Sequence, residues 1–424
     1  MSEDRPSSAG PAFVAFALLG ASIAAPMLVG LLAVDLTEDL ALDDRQLGLA
    51  ISAFWWVTAV AAPVGGRWID RRGWPVGLYA GALLCTTGLL ATAVLARSWP
   101  VLLVTMALSG LAYALCSPTS NLLVVTTVPR ARRASALALK QTAPPLLTAL
   151  AGATLPALAI WQGWRTAMSV GLVLPLVAVV GGRLLATPRT RVARTDEVVD
   201  TGAASVPKSG PTAAAGSSSS EHLRATRPLA QWRVVVAAGL GTVAVASVTG
   251  FSVLTLVAGG LDPVWAAAVV SVGSLLAVVA RLASGGLLDR RAEDDLGLLL
   301  LMMTVATAAL TLTGVGLVLG DGGPLSMVVV VVGVLCSLVS AWTWPALLLL
   351  VVVRTAEGAG AASGTLQLGS GVGSAVGPLV FGVLAHAGGR GWAWVFMAAC
   401  TGVAWSVLRP PRAEPTAVPV EVRA

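Results

Sequence analysis

Charge is what this chain lacks most. Only 11% of its 424 residues are Asp, Glu, Lys or Arg, and 56% are apolar. Soluble domains carry roughly 25% charged residues, so a water-exposed globular fold is excluded. Histidine is confined to His222 and His386, too few for an HExxH or paired-histidine metal site. Cys85, Cys116, Cys336 and Cys400 all fall inside apolar segments without CxxC spacing. They read as small buried hydrophobes, neither disulfides nor metal ligands. A phosphate-binding Gly-Lys-Ser loop is missing too, so the chain has no ATPase engine of its own, and no enzyme chemistry or cofactor is expected. Acids are missing from the middle of every apolar segment, which leaves a carboxylate proton relay without a candidate.

What is present in quantity is long apolar sequence. A hydrocarbon core about 30 Å thick needs roughly 20 apolar residues of helix. Runs of that kind cover residues 12–34, 46–68, 75–96, 100–128, 134–160 and 164–186, then 232–258, 264–288, 296–319, 325–353, 359–385 and 392–408. The first is too long for a signal-peptide core and reads as a retained membrane helix. Between the two sets lies the single long polar stretch, rich in Ala, Ser, Thr, Pro and Arg, with Ser217 to Ser220 in a row. It cannot bury enough apolar surface to fold. The expected organisation is an all-α membrane protein: a six-helix bundle at 12–187, a flexible linker at 188–231, and a second six-helix bundle at 232–409.

The formal charge of +6 reports topology, not nucleic-acid binding, because the basic residues sit in short runs between apolar segments. With a cytoplasmic N-terminus, the inner loops hold Arg67, Arg71 and Arg72; Arg130, Arg132 and Arg133; the basic linker; Arg290 and Arg291; and Arg354. The outer loops hold only Arg45, Arg97, Arg165 and Arg390, and the first is acidic, with Asp35, Glu38, Asp39, Asp43 and Asp44. Both termini and the linker are therefore expected inside a cytoplasmic membrane. Trp74, Trp99, Trp164, Trp232 and Trp392 lie at segment ends and read as interface anchors.

The loop after the second segment, Gly66-Arg67-Trp68-Ile69-Asp70-Arg71-Arg72-Gly73, returns after the eighth as Gly285-Gly286-Leu287-Leu288-Asp289-Arg290-Arg291. This G-x-x-x-D-R-R echo marks internal duplication, the architecture of secondary transporters whose halves rock against each other. With the twelve segments and central linker, it makes the chain resemble the major facilitator superfamily over nearly its whole length. The resemblance implies that Gly66, Asp70, Arg71 and Gly73, with Asp289 and Arg290 in the second half, latch the two bundles on the cytoplasmic side. It implies a monomer that moves a small-molecule solute through the lipid bilayer, with a coupling proton left open. Drug/proton antiporters of the superfamily carry an arginine in the fourth helix where this chain has Met106. They also carry a G-P-x-x-G-G stretch where it reads Ala151-Gly152-Ala153-Thr154-Leu155-Pro156. Ala280-Arg281-x-x-x-Gly285-Gly286 is nearer to nitrate/cyanate-type porters, although their second-helix arginine is Ala62 here.

Two cations lie deep in apolar segments, where a charge costs roughly 2.5–3.5 kcal/mol. Lys140, just before the Pro144-Pro145 kink site, is roughly 10 Å inside the fifth segment, and Arg281 roughly 12 Å inside the eighth. On facing helices they would make an electropositive spot in the cavity; the plainer reading is that both snorkel, Lys140 reaching the interface along its own stem and Arg281 pairing with Asp289 or backbone carbonyls. Gln141, Gln367, Asn121, Trp55 and Trp342 complete the candidate substrate-binding set, with Gln141 and Gln367 equivalent in the duplicated register. The reading is a transporter of a small anion by alternating access. The alternatives are a drug or metabolite exporter and a non-transporting membrane receptor.

Overall fold

The computed structural model describes residues 9–185, 230–290, 295–320, 323–355 and 359–409. Its first half contains α1 (Ala9–Leu31), the short α2 (Ala33–Asp39), α3 (Asp44–Arg72), α4 (Trp74–Leu95) and α5 (Trp99–Thr127). The fifth span is broken into α6 (Arg133–Gln141) and α7 (Ala143–Gln162), and the sixth into α8 (Trp164–Ser169) and α9 (Val173–Leu185). The second half contains α10 (Gln231–Ala258), α11 (Pro263–Arg290), α12 (Asp295–Val318), α13 (Pro324–Thr355), α14 (Ala359–Gly388) and α15 (Arg390–Leu408). Among the described residues, twelve helical stretches are long and apolar enough to cross a membrane, and there is no strand. The all-α expectation holds. Nearly all of the expected linker, residues 188–229, lies outside the described residues.

Local sequence explains where the spans start and stop. The first span ends at Leu31, short of the expected Val34, and α2 places Asp35, Glu38 and Asp39 beyond it. Carboxylates are too costly to hold in hydrocarbon. A capping box opens α3: Asp43 accepts from the Gln46 amide at 2.7 Å, and the Gln46 side chain accepts from the Asp43 amide at 3.1 Å. Such caps are worth about 1 kcal/mol. Gly73 closes α3 at φ 81° and donates to the Ile69 carbonyl, a left-handed conformation that a side chain would strain. Its place directly after the first G-x-x-x-D-R-R thus has a backbone reason. Gly163 and Gly389 turn the chain in the same way between the fifth and sixth and the eleventh and twelfth spans. They share the offset that pairs Gln141 with Gln367.

Packing follows the two halves. In the first, α1 lies at the centre against α4, α5, α7 and α9; in the second, α10 packs on α13, α14 and α15, with α12 on α13 and α15. Almost every residue of α1 from Pro11 to Leu31 is buried. Its many Ala and Gly residues allow close approach, which is how helices associate where no hydrophobic drive separates protein from lipid. Across the halves, α3 meets α14, α7 meets α11, and α1 meets α10. The chain crosses between halves from α9 to α10, so these ends define a linker face, and α2 and the Gly163 and Gly389 turns define the far face.

Candidate functional site

The site is built on the break in the fifth span. Pro144 and Pro145 carry no amide hydrogen, so the carbonyls of Lys140 and Gln141 lose their usual donors four residues on. The chain tightens there, with the Thr142 amide donating to Leu139 at 3.0 Å and its hydroxyl to the same carbonyl at 2.7 Å. The Gln141 carbonyl is satisfied from the other half of the molecule: Arg281 Nη1, on α11, donates to it at 3.1 Å.

Lys140 is fully buried, at 1% exposure, and its ammonium donates to Asn121 Oδ1 of α5 at 2.5 Å. It points inward and does not snorkel, so the plainer reading of this residue is overturned. Arg281 is half-buried. Its partner is a carbonyl of the residue next to Lys140, in keeping with the plainer reading that it pairs with backbone carbonyls. Two cations from opposite halves thus converge on one helix break. Among the described residues neither pairs with a carboxylate. A buried cation is costly without a counter-charge, and a neutral amide or carbonyl orients the charge without cancelling it. The arrangement leaves two positive groups without a counter-charge among the described residues.

The other expected residues fare differently. Gln141 contributes its backbone carbonyl, while its side chain is exposed, as are those of Asn121 and Gln367. Trp55 is half-buried, with its ring edge-on to Phe54 and Tyr113. Trp342, on α13, is half-buried and its indole N–H has no partner among the described residues. No hydrogen bond or ring contact among the described residues joins Gln367, Trp55 or Trp342 directly to the two cations. The loop expected after the second span is helical as far as Arg72: Asp70 and Arg71 lie in the last turn of α3, where their side chains are exposed and, among the described residues, make no hydrogen bond or ion pair. A side chain at Gly66 would meet open space. The side chains of Asp289 and Arg290 lie outside the described residues, as does Arg291.

At the far face the two halves close on each other. Arg390 holds both carboxylate oxygens of Asp44, at 2.8 and 3.1 Å, and donates to the Leu254 carbonyl at 3.3 Å. His386 Nδ1 lies 3.7 Å from Asp43. The Leu379 amide donates to Ser52 Oγ at 2.9 Å. Gly48 packs on the Pro378 carbonyl, Gly382 on that of Asp44, Gly30 on Thr249, and Gly152 on Ala267. Ser271 donates to the Ala149 carbonyl. Toward the linker face the seam is carried by Arg281 on Gln141 and by Ala59 opposite Gly371. None of this closure was read from the sequence, where Asp44 and Arg390 counted only as loop charges. The signal available was small residues at helical spacing on α3 and α14.

Trp164 departs from its expected role as an interface anchor. It is buried, donates to Asp39 at 3.1 Å and lies under Arg165, which itself binds Asp39 at 3.0 Å and the Ala96 carbonyl at 2.8 Å. The acidic loop supplies a partner, so the indole turns inward. Trp232 and Trp392 are exposed as expected.

Comparison with known proteins gives a consistent picture. The Major Facilitator Superfamily family matches residues 13–364. No curated protein matches the chain. Among solved structures, it is similar to a bacterial homolog of the human lysosomal transporter Spinster in inward-facing and occupied conformation. The TM-score is 0.65 at 14% identity, covering 96% of this chain and 97% of that one. The unoccupied inward-facing form of that homolog gives 0.65 at 13%, with 96% and 97% covered. A variant of the nucleoside transporter NupG gives 0.63 at 12%, with 94% and 98% covered.

Proposed function

The chain belongs to the major facilitator superfamily, and from that premise we propose that it moves a small anion across the cytoplasmic membrane by alternating access, as a secondary transporter without enzymatic activity. The observation that carries the anion is the convergence of Lys140 and Arg281 on the break in the fifth span, without a carboxylate partner among the described residues. The likeness of Ala280-Arg281-x-x-x-Gly285-Gly286 to nitrate/cyanate-type porters supports the same reading. Lys140 and Arg281 come from opposite halves, so a ligand bridging them feels both, and rocking of the halves alters its grip. That differential contact is what alternating access requires.

The linker face is taken as cytoplasmic, because Arg67, Arg71, Arg72, Arg130, Arg132 and Arg133 lie on it. The exposed Asp70, in the last turn of α3, then belongs to a latch that engages when that face closes. The domain reading is kept: two bundles of six spans, at 12–187 and 232–409, joined by the 188–231 linker.

The test is ligand binding to purified protein, by thermal shift and calorimetry, with nitrate, phosphate and simple carboxylates set against amines and neutral drugs. Anions are expected to bind. Lys140→Gln and Arg281→Gln should each weaken binding, since truncating one member of a buried charged contact commonly costs about 2–5 kcal/mol. Arg281→Lys should fail as well, because a point charge cannot copy the planar fork that grips an oxyanion. Equal binding by wild type and both Gln variants would overturn the anion reading in favour of drug or metabolite efflux. Binding without flux in proteoliposomes would make the protein a receptor.

A further inference from the structure

We propose that the anion is an elongated organic acid bearing a flat aromatic ring, with its acid group at Lys140 and Arg281 and its ring against Trp55 and Tyr113; this rests on the anion reading above. The first support is the face of α3. Asp44, Gly48, Ile51, Ser52 and Ala59 all approach the opposite half: Asp44 through Arg390, Gly48 on Pro378, Ile51 beside Gly250, Ser52 under the Leu379 amide, and Ala59 opposite Gly371. Steps of three and four residues keep a helix on one face. Trp55 occupies the place in that stripe between Ser52 and Ala59. Its neighbours there are small and make close contact; an indole in the same row is half-buried instead.

The second support is the ring corner itself. Phe54 is fully buried and fills the first bundle. Trp55 stands edge-on to it at 5.0 Å, and Tyr113 of α5 closes the corner at 5.4 Å from Trp55 and 5.8 Å from Phe54. Trp55 and Tyr113 remain half-buried, so ring surface is left for a ligand to cover. Aromatic pairs favour such edge-to-face and offset contacts.

The third support is α5, which joins the corner to the cations. Tyr113, Ser117 and Asn121 recur every four residues and so share a face. Asn121 receives the Lys140 ammonium. Two turns of helix separate Tyr113 from Asn121, about 12 Å along the axis. An inorganic oxyanion would fill the polar end alone. An aryl acid of matching length uses both ends, with the Ser117 hydroxyl between them.

The experiment uses the purified full-length protein and four probes: 8-phenyloctanoate, whose extended chain matches the span of about 12 Å, octanoate, inorganic phosphate and the neutral 8-phenyloctanamide. Phenyloctanoate is expected to bind tightest. Trp55→Leu should weaken it about tenfold, from lost ring contact, while octanoate and phosphate keep their affinities. Trp55→Phe, which retains a ring, should recover most of the loss, and Tyr113→Leu gives an independent reading if Trp55→Leu folds poorly. Lys140→Gln should weaken all three acids together. If octanoate or phosphate binds as tightly as phenyloctanoate, or if Trp55→Leu and Tyr113→Leu leave phenyloctanoate unchanged, the ring proposal is wrong and the anion reading survives. If the amide binds as well as the acid and Lys140→Gln changes nothing, the anion reading itself is wrong.

Discussion

Arg390, at the start of α15, grips Asp44, at the start of α3, with contacts at 2.8 and 3.1 Å across the two halves of the molecule. Their side chains are only 27% and 14% exposed, so the pair is shielded beyond the ordinary surface salt bridge. Arg390 also reaches the Leu254 carbonyl, which ties a third helix into the contact. This bond fastens the far face shut.

Breaking that fastener should open the far face. Asp44→Asn or Arg390→Gln is expected to cost the closed state about 1–2 kcal/mol, a shift of about 5–30-fold in the ratio of states. A cysteine at Ile51, which packs beside Gly250 in the seam, reports the change in a background lacking the four native cysteines. Its labelling rate should rise in either variant and fall back in the exchanged pair Asp44→Arg with Arg390→Asp. An unchanged rate would show that the glycine seam alone holds the face closed.

Asp70, in the last turn of α3, should behave in the opposite way. Asp70 is exposed and unpaired among the described residues, so Asp70→Asn should leave the stability of this state within about 0.5 kcal/mol. Flux of a bound anion in proteoliposomes should nevertheless drop, because the latch acts when the linker face closes. Unchanged kinetics would remove Asp70 from the transport cycle.

Pro145 prepares the acceptor that Arg281 uses. Pro145→Ala restores an amide four residues after Gln141, which competes with Arg281 for the carbonyl. Helix propensity favours the variant, so thermal stability should hold or rise. Anion affinity should fall about tenfold, in line with the worth of a hydrogen bond to a charged group. If affinity is unchanged while Arg281→Gln abolishes it, the guanidinium works without this carbonyl.

Asp35 gives a pH signature. Burial is the largest influence and pushes its carboxyl above the ordinary 3.8; a backbone hydrogen bond pulls it down, and Glu38 adds to the rise. A raised value in the folded state favours the neutral acid. Its contribution to stability is complete below pH 3.8 and is lost as pH climbs through the raised value. Asp35→Asn should therefore melt higher than wild type near neutral pH, with the gap closing as pH falls toward 3.8. A melting series across that range checks the sign; a variant less stable than wild type at neutral pH would mean the carboxylate is used as an anion.

Much of the architecture was legible because its causes are local or periodic. Span number follows from hydrophobic length, the halves from the repeated G-x-x-x-D-R-R loop, and the break in the fifth span from Pro144-Pro145. Lys140 and Arg281 stood out because charge in hydrocarbon needs a reason. Their mutual placement did not, since Arg281 meets Gln141 only once α11 packs on the fifth span. The inward course of Lys140 depended on Asn121 being within reach, which no spacing in the sequence reveals. Trp164 misled for a similar reason: its partner Asp39 is distant along the chain and close only in the fold.

By itself, then, the sequence determined the membrane setting, the twelve spans, the duplication and the shortage of negative charge at depth, all set by composition and by periodicity along the chain. Tertiary structure alone decided which face is closed, that Arg390 and Asp44 fasten it, and that two cations from separate halves converge on one helix break. These are contacts between residues far apart in the chain, and their energies exist only after the helices have packed.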